Sequence, residues 1–304
     1  MPTRDEHPEA DAILDKRRLQ SLGVLLPIRL HALSFLPGRH PLGRAGDGMR
    51  FLRTRPYEPG QDNPRDIDKF SPPGELRINE WEAEAQAIIR VCGDVSASMC
   101  FGPKAAIRNL ALLQLTYSLW RSSDRVRSVL FSSQDREVIA EKNLKSQLDE
   151  LSGRLSKNSL LAGLDAFDML ETISADRQAA KEDLVFMVSD YCPVSVHAER
   201  KSVEDWRTLL RRMPCEVVQV IISFELHPEQ RGAIKLWDPE RRSQRLTLLT
   251  PSRVDRINES ERQRVGDLEL LFRGLGVDSL TLRHERDVYP ALARLARLRR
   301  RRRM

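Results

Sequence analysis

Ile88-Ile89-Arg90-Val91-Cys92-Gly93-Asp94-Val95-Ser96-Ala97-Ser98-Met99 is the stretch on which the reading of this chain turns. An apolar run of strand length ends at an aspartate, and two serines follow at alternate positions before a predicted helix. Asp94, Ser96 and Ser98 form the pattern D-x-S-x-S, an oxygen-only cluster at the C-terminal end of a strand. In open α/β sheets that edge is where ligands bind. A carboxylate and two hydroxyls suit a hard cation such as Mg2+ or Mn2+, not a soft or tetrahedral one. The plainer alternative is a strand-to-helix turn in which Asp and Ser serve as helix caps.

Working outward, strands alternate with amphipathic helices from about residue 87 onward. Strands are expected at 87–91, 126–131, 184–188, 215–222 and 277–282, with an antiparallel edge at 137–140. Helices are expected at 104–120, 160–170, 202–213, 259–275 and from 288 onward. That alternation predicts an α/β fold, a mostly parallel sheet flanked by helices. The strand at 184–188 runs into Ser189-Asp190. If it is a parallel neighbour of 87–91, Asp190 emerges at the same edge as Asp94. The polar loop Ser156-Lys157-Asn158-Ser159 precedes a helix and can add an amide or hydroxyl oxygen there. For Asp190, too, a turn residue before Pro193 is the plainer alternative.

Upstream the character changes. Residues 1–20 are polar, and 21–86 are punctuated by Pro27, Pro37, Gly38, Gly43, Gly46, Gly48, Pro56, Pro59, Gly60, Pro64, Pro72, Pro73 and Gly74. Such spacing breaks long helices. Short strands at 49–54 and 75–79 and an initial helix give a small β-rich appendage. The expected organisation is a loose segment at 1–20, the appendage at 21–86 and the main domain at 87–304.

At 304 residues there is room for one such domain and its appendage. Charged residues make up 31% of the chain, and no apolar run approaches the roughly 18 residues that a membrane span needs. The first sixteen residues are charged and lack the apolar core of a secretory signal, so a cytoplasmic address is expected. Cys92, Cys100, Cys192 and Cys215 have no C-x-x-C spacing, which points to reduced, packed thiols. The net charge is +6, yet Arg294, Arg297 and the run Arg299 to Arg303 alone contribute more than that. The remainder is near neutral, so nucleic acid is not an expected partner, and the basic end suits a solvated helix terminus.

Competing chemistries lack their marks. G-x-G-x-x-G, G-x-x-x-x-G-K-[ST] and G-x-S-x-G are all absent from the sequence. The six histidines, His7, His31, His40, His197, His227 and His284, show no ligand spacing, and His197 is the one following the Asp190 loop. A phosphotransferase with Asp94 as nucleophile would want a second aspartate at position 96, where Ser stands.

Asp94-x-Ser96-x-Ser98 followed by a strand-terminal Asp190 resembles the metal-ion-dependent adhesion site of von Willebrand factor A-like domains. The preceding Tyr57-Glu58-Pro59-Gly60-Gln61-Asp62-Asn63-Pro64-Arg65-Asp66-Ile67-Asp68 and Gly74-Glu75-Leu76-Arg77-Ile78-Asn79-Glu80-Trp81-Glu82 resemble the signature of domain-of-unknown-function family 58. Phe101-Gly102, Lys104 and Asp124-Arg125-Val126 extend the likeness. That bacterial family has a von Willebrand A-like fold and is commonly encoded beside MoxR-type AAA+ ATPases. The resemblance implies direct metal ligation by Ser96 and Ser98, with Asp94 and Asp190 acting mainly through bound water. Where the family pattern expects Thr, alignment of the following helix puts Asn158, with Ser159 beside it. Lys69 is a second departure, standing where the family usually has Trp. The implied function is a non-enzymatic, cation-dependent protein-binding module that serves a MoxR-type ATPase and a third, client protein. The alternatives are a metal-assisted hydrolase using the same oxygens, or nucleic-acid association through the arginine run.

Overall fold

The computed structural model describes residues 37–100, 102–122, 124–131, 136–156, 166–176, 181–192, 201–227, 232–238 and 243–301. At its centre is a six-stranded sheet. Its strands are β3 (Ile88–Asp94), β4 (Arg125–Phe131), β5 (Arg136–Ile139), β6 (Leu184–Ser189), β7 (Glu216–Ile222) and β10 (Asp278–Leu282), in the order β10-β7-β6-β3-β4-β5. Only β5 runs antiparallel to its neighbour. The α/β, mostly parallel expectation is met.

The physical reason lies in the strands themselves. Every residue of β6 is buried, as a central strand covered on both faces requires, so it reads as an unbroken apolar run rather than an alternation. Helices α1 (Lys104–Arg121), α2 (Leu144–Ser156) and α6 (Val288–Arg301) pack on one face with Ile89, Val91, Phe186 and Val188. Helices α3 (Ala166–Ala175), α4 (Val203–Arg212) and α5 (Pro251–Gly274) pack on the other with Cys92, Val185, Met187 and Val217. Alternate side chains of β3 and β6 thus feed two separate cores. The start of α4 is fixed by a capping box, in which Ser202 and Asp205 satisfy each other's backbone N–H groups.

Strand order places the site. From β3 the chain moves outward to β4 and β5, then returns to the opposite side of β3 as β6. The order reverses between β3 and β6, and ligand crevices form outside the strand ends at such a reversal. Gly93 pairs in register with Val188, so Asp94 and the residues after Val188 leave the sheet side by side.

Four differences from the sequence expectations stand out. The short strands expected at 49–54 and 75–79 belong to one long ribbon, β1 (Pro37–Pro56) against β2 (Arg77–Ala85). Register shifts between Pro37 and His40, Pro41 and Ala45, and Ala45 and Arg50 absorb the prolines and glycines that were expected to end the strand. A second ribbon, β8 (Gly232–Asp238) with β9 (Ser243–Leu249), was not foreseen, nor was α2. Helix α5 begins at Pro251, at its first turn, earlier than residue 259. Of the helix expected at 160–170, residues 157–165 lie outside the described residues, as does the initial helix.

The basic end is also less solvated than its composition suggests. Arg299 is only 6% exposed, with Nη1 on Asp278 Oδ2 at 2.6 Å and Nη2 on Glu216. It ties α6 to β7 and to the edge strand β10. No helix among the described residues is long and apolar enough to cross a membrane.

Candidate metal centre

Asp94 is the last residue of β3; Ser96 follows it, and the chain then tightens into a 3-10 turn at Ala97–Cys100 that carries Ser98. The backbone N–H of Ser96 donates to Asp94 Oδ1 at 2.8 Å, the Asx geometry that short acidic side chains favour after a strand. The hydroxyls of Ser96 and Ser98 lie 3.1 Å apart. Gly93 lets α1 approach closely, because a Cβ there would sit 2.4 Å from Leu112 Cδ1, which would have to shift. Gly102 turns the chain into α1 with φ of 60°, a left-handed conformation that glycine adopts freely.

Asp190 follows the last residue of β6, and the two aspartates are 2% and 1% exposed. Ser189 Oγ donates to Asp94 Oδ2 at 2.6 Å, so the two strand ends are bonded to each other. Asp190 Oδ1 accepts from the Cys192 N–H at 3.0 Å, and Asp190 Oδ2 accepts from Lys104 Nζ at 2.8 Å. Both aspartates also have their main-chain carbonyls held by guanidinium groups. Arg108 Nη1 donates to the Asp94 carbonyl at 3.2 Å, and Arg264 Nη1 donates to that of Asp190. Lys104 and Arg108 stand four residues apart on α1, hence on one helix face. Tyr191, next in the chain, has φ of 55°, uncommon outside glycine, and its hydroxyl bonds Gln219 on β7.

The electrostatics separate the two carboxylates. Burial, and then the charge of Asp190, raise the Asp94 pKa from 3.8 to about 6, against the pull of its serine hydrogen bonds. For Asp190 burial acts in the same upward sense, but the charge and hydrogen bond of Lys104 overrule it and hold the carboxyl below its usual range. Burial would lower Lys104, yet Asp190 keeps it above the ordinary lysine value. Burial pushes the neighbouring Cys192 thiol up to about 12, so it stays protonated.

The donor set fits a hard divalent cation. Mg2+ holds oxygens at about 2.1 Å in an octahedron, which puts adjacent ligands about 3.0 Å apart. The hydroxyl pair of Ser96 and Ser98 has that spacing at 3.1 Å, beside two buried carboxylates. Among the described residues no group of three or more His, Cys, Asp or Glu side chains is placed to hold a metal, so a cation here depends on the hydroxyls. Of the residues singled out in the sequence, Asp94, Ser96, Ser98 and Asp190 come together at one edge. Asn158 and Ser159 lie outside the described residues, and so does His197. Sequence reasoning gave no role to Ser189, Arg108 or Arg264, and quoted Lys104 only as part of the family likeness. The spacing of Lys104 and Arg108 behind the serine pair was the available signal.

No protein-family model matches the chain, and neither does any curated protein sequence. Solved structures are similar in fold. They include a conserved hypothetical protein, BatB, from Bacteroides thetaiotaomicron, at 12% identity over 71% of this chain and 99% of that one, with a TM-score of 0.40. A von Willebrand factor type A protein from Catenulispora acidiphila has 12% identity over 70% of this chain and 43% of its own, with a TM-score of 0.38. Proximal thread matrix protein 1 from the mussel byssus, with a zinc-occupied MIDAS motif, has 11% identity over 69% of this chain and 47% of its own, also with a TM-score of 0.38. The chain therefore spans under half the length of the last two.

Proposed function

We propose that this chain is a divalent-cation-dependent protein-binding module of the family-58 kind, acting as adaptor between a MoxR-type AAA+ ATPase and a client protein. The observation that carries the metal half is the hydroxyl pair of Ser96 and Ser98, 3.1 Å apart, beside buried Asp94 and Asp190 at the strand-order reversal. Ser96, Ser98, Asp94 and Asp190 would hold the cation, with an oxygen from Asn158 or Ser159 as a further candidate. A bound divalent ion supplies a Lewis-acidic position that a partner's carboxylate can complete. The chain's own residues do the rest. Asp94 and Asp190 supply negative charge, the serine hydroxyls supply neutral ligands, and burial strengthens the attraction by excluding water. Neutral ligands leave part of the ion's charge uncompensated, which favours an acidic group from outside.

The ATPase half is supported by the family signature at 57–68 and 74–82, and a binding rather than a catalytic role by the absence of the recognised nucleophile motifs from the sequence. The test is co-purification of a MoxR-type ATPase with the chain in Mg2+ and in chelator, using wild type and the Ser96→Ala, Ser98→Ala double variant. Association that needs Mg2+ and both hydroxyls is the expected result. Association indifferent to chelator and to the serines would contradict the adhesion-site reading.

A further inference from the structure

Among the described residues, three basic side chains reach the candidate site, and they do different things. Arg108 and Arg264 bond main-chain carbonyls, those of Asp94 and Asp190. Lys104 instead places its ammonium 2.8 Å from a side-chain oxygen of Asp190, one of the carboxylates the metal reading needs. The ammonium is largely shielded from water, since Lys104 is 8% exposed and Asp190 1%. It also stands on the first turn of α1, where the helix dipole already favours negative charge.

We propose that Lys104 is a tethered cation competing with the divalent ion for Asp190, so that loading the site requires the ammonium to withdraw. This rests on the metal reading given above. Two carboxylates at one buried edge repel each other, and a protein that must fold before it meets metal needs that repulsion offset. Lys104 offsets it from within the chain. A divalent ion and an ammonium on the same carboxylate would repel each other in turn at low effective dielectric. The four-carbon stem of lysine lets the charge swing away without moving the backbone, which the planar, multiply bonded guanidiniums of Arg108 and Arg264 do not allow as readily. The consequence is a fold indifferent to chelator and a metal affinity set below what the oxygen ligands alone would give. Lys104 is therefore a positioning and affinity-setting residue rather than a ligand.

The experiment is Mn2+ titration of the full chain by calorimetry, with thermal melts in chelator and in Mn2+, for wild type, Lys104→Met, Lys104→Gln and Lys104→Arg. Wild type should melt at the same temperature in chelator and in subsaturating Mn2+. The neutral variants should bind Mn2+ at least about tenfold more tightly, melt lower in chelator and recover in Mn2+. Lys104→Arg should gain no affinity. If the neutral variants fold only with Mn2+ present, the ion has taken over the work of the lysine and the proposal stands. If they stay unfolded in saturating Mn2+, or fold and bind it no more tightly than wild type does, the proposal is overturned. Those results leave the metal reading intact wherever wild type binds. If neither wild type nor any variant binds Mn2+, the metal reading itself falls and takes this inference with it.

Discussion

Ser189 donates its hydroxyl to Asp94 at 2.6 Å, so the residue before the second aspartate of the site orients the first. The same oxygen accepts from the Tyr191 N–H at 3.0 Å, which turns the chain after β6 so that Asp190 faces the β3 edge. One hydroxyl thus sets the relation between two strand ends and the carboxylates they carry.

Asp94→Asn should stabilise the metal-free protein while abolishing cation binding. Asp94 has its pKa raised from 3.8 to about 6, chiefly by burial and next by the charge of Asp190. A raised acid contributes stability while protonated, fully present below pH 4 and lost as pH rises through 6. Above pH 6 ionised Asp94 is a cost of about 3 kcal/mol, and asparagine removes it. In chelator at pH 7.5 the variant should melt roughly 3–6 °C above wild type, with the difference shrinking toward pH 4. A lower melting temperature at pH 7.5 would contradict this.

Cation affinity should fall on acidification. Asp190 stays ionised, since Lys104 holds its carboxyl below the usual range, whereas Asp94 takes up a proton below about pH 6. A metal must displace that proton, so Mn2+ affinity should drop about tenfold per unit once pH is well below 6. A flat profile between pH 7 and 5 would remove Asp94 from the ligand set.

Gly93→Ala should be costly despite the small change. The added Cβ would lie 2.4 Å from Leu112 Cδ1 and 3.2 Å from Leu130 Cδ2, both in a closed core. Overpacking of this kind costs about 1–3 kcal/mol, because the Leu112 and Leu130 tips must shift within a closed core. Chemical denaturation should show a lower midpoint with an unchanged slope.

The basic end should divide into a structural and a dispensable part. Arg299→Ala removes the side chain shared by Asp278 and Glu216 and should cost about 2 kcal/mol, less than a fully buried pair because both carboxylates keep some solvent. Removal of residues 302–304 should leave the melting temperature within about a degree of wild type. Loss of cation-dependent association on that removal would return the arginine run to consideration as a binding surface.

The sheet was legible because its central strands are continuous apolar runs, as at 184–188 and 215–222, and because D-x-S-x-S marks a strand end. The β1–β2 ribbon was not, since its prolines and glycines read as breaks until the partner strand supplies the register shifts that accommodate them. Arg90 was equally opaque. It sits in the middle of β3 at 1% exposure because Glu182, distant in sequence, bonds its Nε at 2.8 Å. Such pairing has no local signature, and neither does the seating of Lys104 on Asp190. Of the site, the aspartates and serines were legible and the cations around them were not.

Calorimetric titration of Mn2+ into wild type and into the Ser96→Ala, Ser98→Ala double variant tests the central claim most directly. The account predicts one saturable site per chain in wild type and none in the variant, with both proteins folded by circular dichroism. Equal binding by the two, or none by wild type at pH 7.5, would contradict it.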